Sequence, residues 1–150
     1  MAQIIEINAD DGRILESSWL KKAELVHRQL RPNLAEDYAE KMARVFAGGG
    51  RMTIAANVSE VVGVAVYRIY ENTASGIHMY VDDLVTSESH RSLGVGKSLI
   101  QYLENLAKKR NCQVVTLDSA THRLGAHKFY FREGFPIVAF HFAKYCQGPK

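Results

Sequence analysis

Hydrophobic residues recur at helical spacing over the N-terminal third of the chain. A short alternating run at residues 3–8 predicts a first strand. From residue 13 to residue 29, apolar side chains return every three or four positions, which predicts an amphipathic helix that Pro32 ends. A second stripe, with Asn33 as its cap, ends at the glycines 48–50. Two amphipathic helices are therefore expected after the first strand.

The middle of the chain has a strand-like pattern. Runs at residues 51–58 and 60–70 predict an antiparallel hairpin, and a further turn leads into a strand at residues 77–86. A helical stripe begins at Val95, and residues 112–117 return as a strand. A strand, helix and strand in succession place the two strands side by side and parallel, with a right-handed crossover.

The last part of the chain predicts one more helix and a final strand. The helix covers residues 123–133 and is closed by Gly134. Phe135 to Tyr145 alternates as a closing strand or strand pair. These elements predict a mixed sheet flanked by helices.

Composition narrows the class of protein. The chain has 150 residues, 47% apolar and 23% charged, which predicts one soluble domain over residues 1–150. No apolar run is long enough for a bilayer and no secretory leader opens the chain, so we expect a cytoplasmic protein without a membrane partner. The net charge is +3, and its one basic cluster, residues 108–110, falls at a helix end, so we expect no nucleic-acid partner. Cys112 and Cys146 lack metal-ligand spacing, and no metal is expected.

The segment from Val81 to Lys97 carries the first chemical signal. It reads as a strand, a polar turn and two glycines that open a helix. The start of a helix presents unpaired N–H groups and the positive end of the helix dipole, which suit a phosphate or diphosphate. Gly94 and Gly96 allow the backbone to approach an anion, and Arg91 adds a fixed positive charge. A phosphorylated ligand is therefore predicted.

Two known motifs compete for these residues. Gly96-Lys97-Ser98 resembles the end of a P-loop, as in a nucleotide hydrolase, but that motif needs a glycine where this chain has Arg91. The pattern Arg-x-x-Gly-x-Gly is met in full by Arg91, Gly94 and Gly96. The second pattern is therefore preferred.

A second motif lies thirty residues after Gly96. It reads Ala-His-Lys-Phe-Tyr over residues 126–130 and ends with Gly134-Phe135. In this order and spacing, the two motifs resemble the GNAT superfamily of N-acetyltransferases, closely from Tyr80 to Phe135 and loosely over nearly the whole chain. The resemblance implies the acyl-CoA N-acyltransferase fold, an α+β (α/β mixed) structure with a mostly antiparallel sheet of six to seven strands and about four helices.

The resemblance also implies a site for acetyl-CoA as co-substrate. The backbone of residues 84–86 would hold the pantetheine, and residues 92–97 would surround the diphosphate. Arg123 replaces the asparagine that many relatives carry, and it would grip a phosphate of the coenzyme or cap the helix. The residues implied in coenzyme binding are Leu84, Val85, Thr86, Arg91, Ser92, Leu93, Gly94, Val95, Gly96, Lys97 and Arg123.

Acetyl transfer to an amine needs a base and an acid. An alkylamine has a pKa of roughly 10, so at neutral pH few molecules have a free lone pair. Asp82 or Asp83 would supply the base. Successive strand residues face opposite sides of a sheet, so only one of the two can face the acceptor, and alignment on the glycine motif favours Asp82. An acid that only forms a salt bridge is an equal alternative for this residue. Tyr130 matches the tyrosine that protonates the leaving thiolate in the family, with a core tyrosine as its alternative.

The predicted function is acetyl-CoA-dependent N-acetylation of a primary amine on a small molecule. A protein amine is an alternative acceptor, and a catalytically silent CoA-binding sensor or partner-binding module is an alternative function. Acceptor specificity is expected from residues 30–38, Tyr67, Tyr70 and the C-terminal hairpin, and a homodimer is left open. Glu36 and Asp37 beside a pocket would favour a cationic amine.

Overall fold

The computed structural model describes residues 2–148. Contacts along the chain divide it into two compact units, residues 2–117 and residues 118–148, and each is described by itself. The first unit contains β1 (Gln3–Glu6), α1 (Ser17–Leu30), α2 (Tyr38–Ala47), β2 (Arg51–Ala56), β3 (Val61–Asn72), β4 (Gly76–Thr86), a 3-10 turn (Glu88–His90), α3 (Val95–Lys109) and β5 (Val114–Leu117). The second unit contains α4 (Leu124–Arg132).

The first unit is built on a five-stranded sheet in the order β1-β2-β3-β4-β5. Its first four strands are antiparallel neighbours, and β5 pairs in parallel with β4. The helix α3 lies between β4 and β5 in the chain, as the sequence predicted for a parallel pair. The mixed α+β class and the mostly antiparallel sheet are confirmed.

Two apolar cores cover the two faces of this sheet. Alternate strand residues point to opposite faces, so Ile54 and Val64 pack with α1 and α2, whereas Ala55 and Ala65 pack with α3. The predicted stripes supply the helix side of each core. The buried helix residues are Leu20, Ala23, Val26, Met42 and Phe46 on one face, and Val95, Leu99, Leu103 and Ala107 on the other.

Both N-terminal helices begin later than the sequence predicted. The chain turns back after β1, because Asn8 bridges to Ile14, and α1 starts only at Ser17. The second helix starts at Tyr38 because Asp37, not Asn33, is its cap: the Asp37 carboxylate accepts a hydrogen bond of 3.0 Å from the Glu40 N–H.

The predicted closing strand at Phe135 to Tyr145 is wrong for the described chain. No helix or strand covers these residues, and the sheet has five strands rather than six to seven. A strand needs a neighbour for its N–H and C=O groups, and residues 118–148 contain no other strand that could pair with it. The prediction of a single domain over residues 1–150 stays a prediction. Among the described residues, none of the helices has the length and apolar character needed to span a bilayer.

Candidate active site

The strand β4 has an open edge at its C-terminal end. On one side Leu84, Val85 and Thr86 pair with β3. On the other side β5 pairs with β4 only from His78 to Val81, so residues 82–86 have no strand neighbour there within the described part of the chain. An extended ligand with amide groups can bind such an edge as an added strand. This edge includes residues 84–86, the segment that the family resemblance assigned to the pantetheine.

The N-terminus of α3 follows a few residues after this edge. Gly94 is its cap, with a left-handed φ of 83°, and the first helical hydrogen bond runs from the Ser98 N–H to the Gly94 carbonyl at 3.0 Å. The N–H groups of residues 95–97 therefore have no acceptor within the helix and can bind an anion. Arg91, Ser92, Leu93, Gly94 and Lys97 are exposed, whereas the side chain of Val95 is buried in the core, so only its backbone could contact a coenzyme.

Gly63 brings the helix start close to the open edge. It pairs with Thr86 in the sheet. A Cβ atom on Gly63 would lie 2.7 Å from Val95 Cγ1 and 2.9 Å from Leu99 Cδ1, closer than atoms can pack. The first turns of α3 therefore lie directly against β3 beside the end of β4. The helix N-terminus therefore lies near the open sheet edge.

A bulge in β4 places Asp82 and Asp83 on the same face of the sheet. Asp83 is the register partner of Val66 and Val81 that of Tyr67, so Asp82 is the extra residue. Asp82 contacts Arg68 and Asp83 contacts α1, and both contacts lie on the face covered by α1 and α2. The expectation that these two residues point to opposite faces is wrong, because a bulge interrupts the alternation.

Asp82 is half-buried, and its carboxylate forms an ion pair with Arg68. Its Oδ2 accepts a hydrogen bond of 2.9 Å from Arg68 Nε, and Arg68 Nη1 also donates to the Gly48 carbonyl. Burial raises the pKa of Asp82 above its ordinary value, and the hydrogen bond and positive charge of Arg68 only partly oppose this. A carboxylate with a raised pKa is a stronger base than an exposed one.

Asp83 is bound on both carboxylate oxygens. Its Oδ2 lies 2.7 Å from His27 Nε2, and its Oδ1 accepts hydrogen bonds of 2.8 and 2.6 Å from Arg31. Burial acts to raise the pKa of Asp83, but the hydrogen bonds and charges of His27 and Arg31 outweigh it and hold that pKa below its ordinary value. Asp83 is therefore a structural ion-pair partner and a weak base.

His27 is a central residue that the sequence analysis missed. It is 1% exposed, and its Nδ1 lies 2.9 Å from the Tyr38 hydroxyl. The polar chain Tyr38–His27–Asp83–Arg31 thus ties the end of α1 and the start of α2 to β4. Its position four residues after Ala23, on the apolar stripe of α1, was the signal that it is buried.

The two tyrosines assigned to the acceptor pocket lie on opposite faces of the sheet. Tyr67 is 0% exposed and packs against α3, so its assignment to the pocket is wrong. Tyr70 is exposed on the opposite face, where its ring lies 5.2 Å from that of His78. Both ring nitrogens of His78 have partners, Asn72 Nδ2 at 2.9 Å and Thr116 Oγ1 at 2.5 Å.

A groove of about 710 Å³ lies between the starts of α1 and α2. Glu36 and Asp37 are among its lining residues, and whether it receives an acceptor stays a prediction. However, the Asp37 carboxylate also caps α2, and Glu24 in the same groove pairs with Arg28 at 2.9 Å. The remaining lining residues are Ile14, Ser17, Ser18, Leu20, Lys21, Tyr38 and Ala39.

The second unit contains Tyr130 and Arg123. The Tyr130 ring is half-buried, 5.3 Å from Phe129 and 6.1 Å from Phe135 between ring centres. Burial raises the pKa of Tyr130, and the Arg123 guanidinium partly opposes this, so the phenol is protonated at neutral pH. Arg123 is exposed at the N-cap position of α4, where its side chain makes no capping hydrogen bond.

Comparisons with known proteins show the family of this chain. The family model described as acetyltransferase (GNAT) family matches residues 13–135. The uncharacterized N-acetyltransferase YhdJ of Bacillus subtilis (strain 168) is 35% identical, over 53% of this chain and 66% of that protein, so the match spans just under two thirds of the relative.

Solved structures share the fold at low identity. Aminoglycoside N-acetyltransferase AAC(6')-Iy in complex with CoA is 18% identical with a TM-score of 0.80, covering 97% of this chain and 96% of that one. Ribosomal-protein-alanine N-acetyltransferase from Brucella melitensis biovar Abortus 2308 is 15% identical with a TM-score of 0.77, covering 96% and 98%. The chain belongs to the acetyltransferase (GNAT) family, whose members are acyltransferases.

Proposed function

We propose that this protein transfers the acetyl group of acetyl-CoA to a primary amine of a small molecule. One observation carries the proposal: the open edge of β4 at residues 82–86 lies beside the N-terminus of α3, whose cap Gly94 has no side chain to accept its first N–H groups. The edge offers amide groups for a pantetheine arm, and the helix start offers N–H groups for a diphosphate. Arg91 and Lys97 are exposed beside it and supply positive charge.

The thioester supplies an activated carbonyl, and side chains of this chain manage the protons. Asp82 takes a proton from the ammonium form of the acceptor, directly or through a water, and so frees the lone pair for attack. The new N–C bond forms as the C–S bond breaks. Tyr130 then donates its phenolic proton to the departing thiolate, and the second proton of the attacking nitrogen passes to the phenolate, directly or through water, which leaves a neutral amide and restores the phenol. Asp82 and Tyr130 belong to different units, so their joint action is part of the proposal.

The choice of Asp82 rests on its environment. Asp83 accepts hydrogen bonds from His27 and Arg31 on both oxygens, and further proton binding there would break that network. The Asp82 carboxylate forms an ion pair with Arg68, and burial raises its pKa. Arg123 at the start of α4 is proposed to contact a phosphate of the coenzyme, because its side chain has no capping role.

The acceptor is proposed to be a small cationic amine. AAC(6')-Iy has been solved with the bisubstrate analog CoA-S-monomethyl-acetylneamine, which joins the coenzyme to an amine acceptor. In this chain, carboxylates of Glu36 and Asp37 line the groove between α1 and α2. A protein amine is the second candidate, because a ribosomal-protein-alanine N-acetyltransferase shares the fold. The cytoplasmic location stays a prediction.

Thiol release from acetyl-CoA tests the proposal. Purified protein is incubated with acetyl-CoA and panels of small amines and peptide N-termini, and free CoA is measured. We expect turnover on at least one small amine, and a fall of about 100-fold or more in kcat for Tyr130→Phe, because general acid catalysis contributes about 10² to 10⁴. Tyr102→Phe, in α3, is the matched control, and it should retain the wild-type rate.

Two outcomes would redirect the assignment. Equal rates for wild type and Tyr130→Phe would remove the phenol from the mechanism. Coenzyme binding without turnover on any acceptor would favour the alternative of a catalytically silent CoA-binding module.

A further inference from the structure

Arg31 follows α1 directly and contacts two consecutive residues of β4. Its Nε and Nη2 atoms donate hydrogen bonds of 2.8 and 2.6 Å to Asp83 Oδ1. The same Nη2 atom also donates, at 3.2 Å, to the main-chain carbonyl of Asp82. One side chain of the helix hairpin thus joins the backbone of one aspartate to the carboxylate of the next.

The carbonyl that Arg31 contacts belongs to the bulged residue of β4. Val81 and Asp83 have register partners on β3, and Asp82 between them has none, so the ladder supports it less than its neighbours. In a regular strand, successive side chains face opposite sides of the sheet. Without the bulge, either Asp82 or Asp83 would point toward the apolar core under α3. The bulge is therefore what keeps both carboxylates on the face that α1 and α2 cover.

The backbone of Arg31 is itself held in place. Its N–H donates to the His27 carbonyl at 3.0 Å, and its own carbonyl accepts a hydrogen bond of 3.2 Å from the Leu34 N–H. Pro32 follows and restricts the backbone conformation of Arg31. On the same helix, His27 Nε2 lies 2.7 Å from the second carboxylate oxygen of Asp83. The end of α1 is therefore a firm support for this part of β4.

We propose that Arg31 is a positioning residue for acetyl transfer, because it holds the β4 bulge that directs Asp82 to the face covered by α1 and α2. The inference rests on the proposed function, in which Asp82 is the base. Arg31 acts on the backbone of Asp82, whereas Arg68 binds its carboxylate at 2.9 Å. The two arginines thus have separate tasks, one fixing the position of the base and the other its charge environment.

The geometry of these contacts requires a guanidinium. Its planar fork presents several N–H groups in fixed directions, so it can bind the Asp83 carboxylate and the Asp82 carbonyl together. A lysine ammonium at position 31 would still pair with Asp83, but as a point charge it would not hold both groups in a fixed arrangement. Arg31→Lys therefore separates the ion pair from the positioning. Asp83→Asn differs, because it keeps an oxygen that accepts from Arg31.

Kinetics of Arg31 variants test the proposal. In the thiol-release assay, we expect kcat to fall about 10- to 100-fold for Arg31→Ala, because a small displacement of a catalytic group has an effect of this size. Millimolar guanidinium chloride should restore part of this rate, and potassium chloride at the same concentration should not. Arg31→Lys should resist urea nearly as well as wild type and still have a lowered kcat. A residue that only stabilises the fold would show recovery of both.

Arg44→Ala is the matched control. Arg44 lies on α2, its side chain is 59% exposed, and it pairs only along the helix surface with Glu40 at 3.2 Å. Its replacement removes one surface arginine and one ion pair without touching β4. We expect the wild-type kcat and no effect of guanidinium on this variant.

A double-mutant cycle shows whether Arg31 acts through Asp82. The kcat values of Arg31→Ala, Asp82→Asn and the double variant are compared with that of wild type. If Arg31 serves to place the Asp82 carboxylate, the double variant should be about as slow as Asp82→Asn alone. Two independent contributions would multiply instead.

Crystal structures of wild type and Arg31→Ala give a readout that needs no turnover. In the variant we expect either that the bulge is lost or that the Asp82 carboxylate no longer contacts Arg68. Circular dichroism checks that the variant is folded, and Arg31→Lys is used in its place if it is not.

Three results would overturn the proposal. The first is an Arg31 variant whose structure keeps both the bulge and the Asp82–Arg68 contact. The second is a wild-type kcat in Arg31→Ala when Asp82→Asn is impaired. The third is a pair of losses that multiply in the double variant. A fully active Asp82→Asn would instead remove the base from the proposed function, and the variant structures would then decide by themselves whether Arg31 holds the bulge.

Discussion

Asp82 and Asp83 are adjacent in the sequence and have opposite electrostatic environments. Burial dominates at Asp82 and raises its pKa, whereas the hydrogen bonds of His27 and Arg31 dominate at Asp83 and lower its pKa. Proton uptake by Asp82 is therefore made easier in the folded protein, and proton uptake by Asp83 is made harder. Only the first is suited to act as a base.

Exchanging each aspartate for asparagine separates catalysis from stability. Asp82→Asn should lower kcat by about 100-fold, because a general base is lost, with little change in the affinity for acetyl-CoA. Asp83→Asn should lower the free energy of unfolding by about 2 kcal/mol, because charged hydrogen bonds to His27 and Arg31 are lost. Steady-state kinetics and urea unfolding measure the two effects. Equal kinetic losses in both variants would contradict the separate roles.

The pH dependence of unfolding gives a further difference between the two residues. The folded-state pKa of Asp83 is lowered, so its ionisation stabilises the protein above the unfolded pKa, and this stabilisation is lost as the pH falls through the folded pKa. We expect a smaller loss of stability on acidification for Asp83→Asn than for wild type. For Asp82 the sign is reversed, because its folded-state pKa is raised: its contribution is present at low pH and is lost as the pH rises through that pKa.

The approach of α3 to β3 depends on the absence of a side chain at Gly63. This contact places the N-terminus of the helix beside the open edge of β4. The glycine motif itself supplies the left-handed turn at Gly94, and Gly63 supplies the close packing behind it. Two glycines that are 31 positions apart in the sequence thus shape one helix N-terminus, which is proposed to bind the diphosphate.

Gly63→Ala tests this packing. The added methyl group meets Val95 and Leu99, so we expect a loss of about 1–3 kcal/mol in the free energy of unfolding and weaker acetyl-CoA binding, because the helix start must move. Gly125→Ala in α4 is the matched control. Nothing lies within 4 Å of its added Cβ, so it should stabilise the protein slightly through helix propensity. Thermal and urea unfolding with a binding titration distinguish the two, and an unaffected Gly63→Ala protein would refute the role given to this glycine.

Ligand binding should stabilise the folded chain as a whole. At a coenzyme concentration about 100 times its Kd, the gain is about 2.7 kcal/mol. For a protein of this size that corresponds to a rise in Tm of roughly 5–10 °C. We expect this shift with CoA and acetyl-CoA in a thermal unfolding assay, and a much smaller one with pantetheine, which lacks the diphosphate. Magnesium with ATP is the control, because a P-loop protein would respond to it and this chain should not.

The order of elements and the family could be predicted from the sequence because they depend on local patterns. Helical stripes, strand alternation, the turn at Gly94 and the two motifs each involve residues only a few positions apart. The prediction of a GNAT family member with a mixed sheet is confirmed. The proposed residues for catalysis and coenzyme binding follow from the same motifs, and they stay predictions.

Only the tertiary structure decided the environment of each side chain. His27 and Asp83 are 56 residues apart, and Arg31 and Asp83 are 52 apart, so no local pattern could pair them. The bulge at Asp82 interrupted the expected alternation of side chains between the two faces of the sheet. Tyr67 lies in β3 between two paired strands, and its side chain is buried in the core. The strand predicted at residues 135–145 is absent from the described chain. An alternating sequence makes a segment able to form a strand, but the strand forms only when a neighbouring strand pairs with its backbone N–H and C=O groups.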